Sequence, residues 1–225
     1  MIGKGKSISH GVAALEYDLA KEIDGQAAAT EIARHELYGC TGAEMVQEMK
    51  PYHIDFPNVK NNCLRFEVSP SIEESATFTD ADWAELGNDF MQRMGLANHQ
   101  YIIIRHSGTE SKKEQAHLHI LANRVSLSGE LYRDNWIGKK ATEAANAIAK
   151  ERNFVQSQDI GKVNKAEIKE AMDGVLKKMQ GFDFTKFKEE LGKRGFKVRE
   201  ARASTGKLNG YYVTARSGTE YKASE

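Results

Sequence analysis

Alternating apolar and polar residues predict β-strands in several parts of the chain. Leu64, Phe66 and Val68 alternate with polar residues, and Pro70 ends this pattern. Two strongly apolar runs, QYIIIRH and AHLHILANRV, lie on either side of a polar segment. Such a pair predicts two antiparallel strands joined by a loop. The later segments SGELYRD, FKVREARA and NGYYVTARSG are predicted to add shorter strands.

Helical spacing predicts helices between and around these strands. Val12, Leu15 and Leu19 are spaced for one face of a helix near the N-terminus. Thr79, followed by Asp82 three residues later, has the pattern of a capping box at the start of another helix. Further helices are predicted from TEIARHELYG, TGAEMVQEMKPY, NWIGKKATEAANAIAKERN, KAEIKEAMDGVLKKM and DFTKFKEELGKRG. Because helices and strands do not alternate regularly, we predict an α+β fold with a central antiparallel sheet flanked by helices.

Composition excludes several classes of protein. The chain has 225 residues, 40% of them hydrophobic and 28% charged, which is typical of an ordinary globular protein with one sizeable core. It has no apolar run long enough to cross a membrane and no hydrophobic signal segment, so no membrane insertion is expected. Cys40 and Cys63 have neither disulfide nor zinc-site spacing. These features predict a cytoplasmic protein.

Charge is unevenly distributed along a chain whose net charge is zero. Residues 1–100 contain 8 Lys and Arg against 16 Asp and Glu, whereas residues 161–225 contain 15 against 9. We therefore divide the chain into a core at 1–160 and a smaller basic C-terminal lobe at 161–225. A basic lobe is typical of a phosphate-binding surface. Charge alone favours the simpler interpretation, a solvated helical surface rich in Lys and Glu.

Three histidines are predicted to converge at one end of the strand pair. Side chains alternate along a strand, so His117 and His119 lie on one face, and pairing of the two strands brings His106 beside them. Three histidines with open coordination positions are typical of a catalytic metal site. The alternative is an ordinary pair of strand histidines, and His99 competes for the third position. A bound cation would support hydrolysis through water or covalent transfer through a side-chain nucleophile.

Three motifs give the chain a recognisable family resemblance. The segments HQYIIIRH…HLHILANRV, LRFEVSPSIEESATFTDADW and SISHGVAALEYDLAKE resemble the relaxase and mobilization nuclease family. They are similar in particular to mobilization relaxases of mobilizable elements in Bacteroides-type bacteria. The ending LNGYYVTARSGTEYKASE also resembles that family. The resemblance implies an HUH-type relaxase fold across nearly the whole chain.

The resemblance also implies an activity and the residues that perform it. Relaxases of this type nick one DNA strand at a transfer origin through a 5′-phosphotyrosine intermediate and later rejoin it, during conjugative mobilization. Tyr17 matches the nucleophile, and Tyr38 is a rival. The metal ligands match His106, His117 and His119. The implied metal is Mg²⁺ or Mn²⁺, with Zn²⁺ or Ni²⁺ as alternatives.

One position departs from the family pattern. The family commonly has an aspartate two residues after the first histidine, as a candidate base or outer-shell residue, and Gly108 stands there in this chain. Glu110 or Glu16 is a candidate to replace it. The departure leaves open which group orients His106 and which group accepts the tyrosine proton.

Single-stranded DNA at a transfer origin is the implied partner, with an accessory mobilization protein and the type IV secretion coupling machinery. Lys4 and Lys6 are candidate phosphate contacts. Asn123 and Arg124 follow the second histidine strand and either touch DNA or brace the site. In the basic lobe, the aromatic pair Tyr211 and Tyr212 is predicted to stack on bases or to place at least one ring in the core.

Three other functions share part of this pattern. A rolling-circle replication initiator uses similar chemistry but usually carries its tyrosine on a helix after the histidines. A metal-dependent nuclease that activates a bound water would not need Tyr17. A DNA-binding module without catalysis is favoured only by Gly108. The early position of Tyr17 therefore favours the relaxase interpretation.

Overall fold

A five-stranded antiparallel sheet organises the first part of the molecule. The computed structural model describes residues 1–108, 115–216 and 218–223, and its chain divides into two units, Met1–Ser157 and Gln158–Glu225. The sheet strands of the first unit are Ile2–Ile8 (β1), Ala29–His35 (β4), Cys63–Ser69 (β5), His99–His106 (β6) and His117–Ser126 (β7). They lie in the order β1-β5-β7-β6-β4. Glu22–Ile23 (β2) and Gln26–Ala27 (β3) form a separate small hairpin.

Helices flank this sheet, as the predicted α+β fold requires. They span Gly11–Leu19 (α1), Gly42–Met49 (α2), Ile72–Ser75 (α3), Asp80–Arg93 (α4) and Ile137–Glu151 (α5), and a 3₁₀ turn follows α2 at Lys50–His53. The capping box at the start of α4 is present, because the Thr79 backbone N–H donates to Asp82 Oδ2 at 2.7 Å and the Asp82 N–H donates to Thr79 Oγ1 at 3.3 Å. The predicted fold class is confirmed.

The two faces of the sheet differ in composition. The face that carries Phe66 and Ile120, here called the apolar face, packs against α4 and α5. The opposite face, here called the histidine face, carries His117, His119 and Leu121 along β7. Part of it is covered by α1 and α2, which form a second apolar cluster with Leu121. The histidines lie on the same face, outside that cluster.

The edge strand β1 contacts α5 closely through two glycines. A Cβ at Gly3 would lie 2.4 Å from the carbonyl oxygen of Ala141, and a Cβ at Gly5 would lie 2.8 Å from the ring of Phe66. Real Cβ atoms do not approach other atoms so closely. Glycine at both positions therefore lets α5 lie directly on the strand.

Three of the predicted elements are wrong in type or orientation. The segment TEIARHELYG contains β4 rather than a helix, since it pairs with β6 from Ala29 to His35. SGELYRD, predicted as a turn and a short strand, contains the turn but only an isolated bridge between Val125 and Leu131 instead of the strand. In α1 the buried side includes Leu15 but not Val12, which is exposed. The charged residue Asp18 lies on the buried side.

The second unit has its own sheet and core. Its helices are Ser157–Leu176 (α6) and Phe184–Lys193 (α7), and its strands are Lys197–Arg202 (β8), Leu208–Thr214 (β9) and Glu220–Lys222 (β10), in the order β10-β9-β8. Tyr211 packs against the core beside Phe184 and Phe187. The guanidinium carbon of Arg199 lies over the ring of Tyr212, 4.3 Å from the ring centre. One of the two tyrosines, Tyr211, is therefore a partly buried aromatic residue packed against the core.

Within the described parts of both units, none of the helices combines the length and the apolar composition needed to cross a membrane.

Candidate metal centre

The pairing of β6 with β7 brings the three predicted histidines together. His106 is the direct register partner of His117, and Ile104 is the partner of His119. His117 and His119 are two residues apart on β7, so both side chains lie on the histidine face. The ring centres of His106 and His119 are 4.4 Å apart, and those of His117 and His119 are 4.9 Å apart.

The geometry of the cluster fits a single metal ion. Each of the three histidines offers one nitrogen, and these three atoms lie within 4.8 Å of one another. His117 Nε2 and His119 Nε2 are 3.1 Å apart. Two imidazole nitrogens that each lie about 2.0–2.1 Å from one ion are about 3.0–3.4 Å apart. The β7 pair is therefore already spaced as two ligands of one cation would be.

Burial favours the neutral, metal-binding form of two of the three histidines, His106 and His119. His106 and His117 are buried and His119 is half-buried. Burial lowers the pKa of His106. Burial, together with the charges of His106, His117 and Arg65, lowers the pKa of His119 to about 2. Neutral imidazoles keep a free lone pair, which a metal ligand needs.

Backbone carbonyls hold two of the rings from behind. His106 Nε2 lies 2.7 Å from the carbonyl oxygen of Asp18, and His117 Nδ1 lies 3.1 Å from the carbonyl oxygen of Gln115. A ring nitrogen that donates its proton to a carbonyl leaves the other nitrogen free as a ligand. These contacts fit Nδ1 of His106 and Nε2 of His117 as the metal-binding atoms.

A buried ion pair adjoins the third ring, and sequence reasoning did not identify it. Arg65 on β5 donates from Nε to Asp18 Oδ2 at 3.0 Å and from Nη2 to Oδ1. Arg65 Nη2 lies 3.3 Å from His119 Nδ1, and Asp18 Oδ1 lies 3.8 Å from the same nitrogen. Asp18 is only 1% exposed. The available signal was the position of Asp18 directly after Tyr17, which an ordinary helix surface would also show.

Tyr17 is the exposed residue next to this ion pair along α1. Its side chain is 61% exposed, and the Nζ of Lys21 lies 5.7 Å from its ring centre. The rival Tyr38 is 77% exposed and lies beyond β4, where its hydroxyl donates to Glu36 at 3.1 Å. This hydrogen bond raises the pKa of Tyr38, which disfavours the phenolate. The residue after Tyr17 contacts the histidine cluster, whereas no such link is found for Tyr38 among the described residues.

The predicted phosphate-contacting lysines lie beside His119. A cleft of about 200 Å³ on the paired strands β1 and β5 is lined by Lys4, Lys6, Arg65 and Glu67 as well as His119. Both lysines are exposed, and Lys4 pairs with Glu67 at 3.0 Å. The cleft therefore joins basic side chains to the metal-ligand cluster on the same face of the sheet.

Asn123 and Arg124 make their hydrogen bonds to other parts of the protein, outside the histidine cluster. Asn123 has no exposed surface, and its side chain bonds to His53, Gln100 and the backbone. Arg124 pairs with Asp134 at 2.6 Å and donates to two backbone carbonyls. Because these donors are already engaged inside the protein, we leave both residues out of the proposed DNA surface.

The other candidates from the sequence lie elsewhere. Nδ1 of His99 is 2.9 Å from the carbonyl oxygen of Asn123, outside the histidine cluster. The carboxylate of Glu16 accepts a hydrogen bond from the Ala43 backbone at 3.0 Å and so links α1 to the start of α2. Glu110 lies outside the described residues. Gly108, being a glycine, offers no carboxylate to the cluster.

Comparison with solved structures gives similarities of low sequence identity. The chain is similar to the conjugative relaxase TrwC in complex with oriT DNA in a metal-bound structure, with 12% identity, a TM-score of 0.41, and coverage of 92% of this chain and 74% of that chain. The metal-free complex gives 10% identity and a TM-score of 0.41, with the same coverage. The copper-bound complex gives 13% identity and a TM-score of 0.39, with coverage of 92% and 75%.

Sequence comparison with whole families is more informative. No curated protein matches the chain. The model of the relaxase family described as MobA/VirD2-like, nuclease domain, matches residues 17–154, which is more than half of the chain. That range contains Tyr17 and all three clustered histidines. The chain belongs to the MobA/VirD2-like relaxase family.

Proposed function

We propose that this relaxase nicks and rejoins one strand of DNA at a transfer origin, with Tyr17 as the nucleophile and a divalent cation at the histidine cluster. The observation that carries this proposal is the link between Tyr17 and the cluster. The next residue, Asp18, contacts His106 through its backbone and adjoins His119 through its carboxylate. The exposed phenol of Tyr17 therefore directly precedes, in the chain, a residue that contacts a site that fits a cation.

The proposed ligands are His106, His117 and His119, and the proposed ion is Mg²⁺ or Mn²⁺, with Zn²⁺ or Ni²⁺ as alternatives. When bound, such a cation stabilises negative charge that develops on the scissile phosphate. The neutral imidazoles leave the full charge of the ion available. Their burial also limits the water around the site, which strengthens the electrostatic effect.

The proposed covalent step exchanges one phosphate ester for another. The Tyr17 oxygen attacks the phosphorus of the scissile phosphodiester, and the bond from phosphorus to the 3′ oxygen breaks. The phenol loses its proton and the released 3′ oxygen gains one, so a 5′-phosphotyrosine and a 3′-hydroxyl result. Because one ester replaces another, the reverse attack by the 3′-hydroxyl rejoins the strand without an external energy source.

Basic side chains near the cluster support a nucleic-acid substrate. Lys4 and Lys6 line the cleft that contains His119, and we propose that they contact phosphates of the bound strand. The second unit has an excess of Lys and Arg, with 15 such residues against 9 Asp and Glu in residues 161–225. We propose that this unit adds further contacts to single-stranded DNA.

A covalent-adduct assay tests the proposal. The protein is incubated with Mn²⁺ and labelled single-stranded oligonucleotides from the transfer-origin region of its element, and products are separated on a denaturing gel. The wild type is expected to form a slowly migrating protein–DNA adduct, and Tyr17→Phe is expected to form none. Tyr38→Phe is the matched control, since it removes an exposed phenol whose hydroxyl donates to Glu36 and, in the described part of the chain, does not contact the cluster.

Each contrary outcome identifies a different mechanism. An adduct that survives in Tyr17→Phe and disappears in Tyr38→Phe would assign the nucleophile to Tyr38. Cleavage without an adduct in the wild type would indicate a nuclease that uses metal-activated water. Binding without cleavage across oligonucleotides that tile the whole region would indicate a DNA-binding module.

A further inference from the structure

Asp18 is a carboxylate in an unusual place. It lies on the buried side of α1 and is 1% exposed, next to the exposed Tyr17. Burial of a carboxylate is costly unless the charge is paired and hydrogen-bonded. Arg65 supplies that pairing through two N–H groups. An ion pair held at this cost, in contact with a proposed metal ligand, calls for a functional explanation.

The two charges of the pair have opposite effects on His119. Arg65 Nη2 lies 3.3 Å from His119 Nδ1, and an N–H donor favours an unprotonated Nδ1 with the proton on Nε2. That proton then points to His117 Nε2, 3.1 Å away, which completes a hydrogen-bonded network without metal. Asp18 Oδ1, 3.8 Å from Nδ1, instead favours the proton on Nδ1.

Only the second arrangement binds a cation. The lone pair of Nε2 must be free, so the imidazole proton must lie on Nδ1, where the negative charge of the nearby carboxylate favours it. Asp18 therefore stabilises the metal-binding tautomer, whereas Arg65 stabilises the other. The direct effects of the two charges on a bound cation have the same directions as their effects on the tautomer. The carboxylate attracts a nearby cation, and the guanidinium repels it.

Asp18 provides a carboxylate near the cluster, which the position two residues after His106 does not. Gly108 carries no carboxylate, and Glu110 lies outside the described residues. Asp18 comes from a different element, α1, and its backbone carbonyl contacts His106 at 2.7 Å. One residue thus contacts two of the three proposed ligands.

We propose that Asp18 is the positioning residue that orients His119 as a metal ligand, and that Arg65 restrains this carboxylate, so that the two residues set the metal affinity in opposite directions. This inference rests on the proposed metal site and deepens it. It concerns the metal site alone and does not depend on which residue attacks the DNA.

Binding of Mn²⁺ alone, without DNA, tests the inference. Free Mn²⁺ is followed by electron paramagnetic resonance during titration of the wild type, Asp18→Asn, Arg65→Gln and Asp134→Asn. We expect affinity to fall about tenfold or more in Asp18→Asn and to rise several-fold in Arg65→Gln. Asp134→Asn is the matched control, because it breaks another arginine–carboxylate pair of the same unit, with Arg124, and should leave Mn²⁺ affinity unchanged.

A purely structural ion pair predicts a different result. Loss of either partner would then destabilise the fold and weaken Mn²⁺ binding in the same direction. Equal affinity in Asp18→Asn and wild type, or weaker binding in Arg65→Gln, would overturn the inference. Should Asp18→Asn fail to fold, the double variant Asp18→Asn/Arg65→Gln removes both charges together. It should bind Mn²⁺ at least about tenfold more weakly than Arg65→Gln, and equal affinity would overturn the inference.

Nuclear magnetic resonance of the imidazole nitrogens gives a readout that needs no variant. In the Zn²⁺-loaded wild type, His119 is expected to carry its proton on Nδ1. In the metal-free protein, it is expected on Nε2. A proton on Nε2 of His119 in the loaded protein would overturn the inference.

These measurements separate the inference from the proposed strand transfer. A wild type that binds Mn²⁺, weakens in Asp18→Asn and forms no DNA adduct would support the inference and contradict the strand transfer. If the wild type forms an adduct and Asp18→Asn binds Mn²⁺ as tightly as the wild type, the strand transfer would be supported and the inference contradicted. A wild type that binds no Mn²⁺ would overturn both the metal site and the inference.

Discussion

The same strands of the central sheet carry different kinds of side chains on its two faces. On the apolar face, Phe66 is buried under the helices, and its ring meets the ring of Phe90 from α4 edge to face at 5.4 Å. On the histidine face, helices cover only part of the sheet, and the remainder carries imidazoles, a buried ion pair and lysines. Because side chains alternate along β5 and β7, one face of these strands contributes to the apolar core and the other carries the proposed metal site.

The largest effect on stability is expected on the apolar face. Phe90→Ala removes a fully buried ring from α4 and leaves a cavity, which should lower the free energy of unfolding by about 3–5 kcal/mol. Urea unfolding measures this loss. At a temperature where the variant remains folded, its Mn²⁺ affinity should equal that of the wild type. A changed affinity would show that the two faces are not independent.

The next effect concerns metal on the histidine face. A ligand that binds only the folded state stabilises it, by about 2.7 kcal/mol when its concentration is 100 times the Kd. We expect Mn²⁺ to raise the urea midpoint of the wild type by a corresponding amount and to have no such effect on His117→Ala. The comparison is made by titration of Mn²⁺ into both proteins. Equal stabilisation of both would remove His117 from the proposed ligands.

A smaller effect is expected at the cap of α4. Thr79→Ala removes the side chain that accepts from the Asp82 N–H, and such losses cost about 1 kcal/mol. Thermal unfolding should show the decrease, while adduct formation at a permissive temperature stays normal. Thr79→Ser is the control, since its hydroxyl restores the cap. If the stable Thr79→Ser variant formed no adduct, the helix on the apolar face would be shown to affect the reaction.

The smallest effect is expected at the cleft beside His119. Lys6→Ala should weaken binding of single-stranded oligonucleotides and reduce the slope of log K against log salt by about 0.7, the value for one phosphate contact on a single strand. Fluorescence anisotropy at several salt concentrations measures the slope. Lys139→Ala, which removes an exposed lysine of α5, is the control. An unchanged slope in Lys6→Ala would place the strand outside the cleft.

Short-range patterns were sufficient for much of the fold and for the metal cluster. Alternation identified β5, apolar runs identified β6 and β7, and the pairing of His106 with His117 followed from the hairpin predicted for these two runs. The segment of β4 was misread because its Ala, Glu and Arg residues favour helices. Its strand conformation comes from long-range pairing with β6.

The ion pair could not be predicted for a similar reason. Asp18 and Arg65 are 47 positions apart, and their contact depends on how α1 lies across β5. A hydrophobic stripe predicts which side of α1 is buried only when that side is apolar. Here the buried stripe ends in a carboxylate, so the apolar pattern selected Val12 instead, which is 38% exposed. The burial of Asn123 likewise follows from packing against the 3₁₀ turn after α2 rather than from its neighbours in sequence.

Strand β1 has a consequence for anyone who shortens the protein. The family match begins at residue 17, whereas β1 pairs with β5 from Ile2 to Ile8 and receives α5 against Gly3 and Gly5. A version trimmed to the family match would expose the backbone edge of β5 and the alanine surface of α5. Unprotected strand edges recruit other chains. Such a version should aggregate on expression even though it retains Tyr17 and every proposed metal ligand.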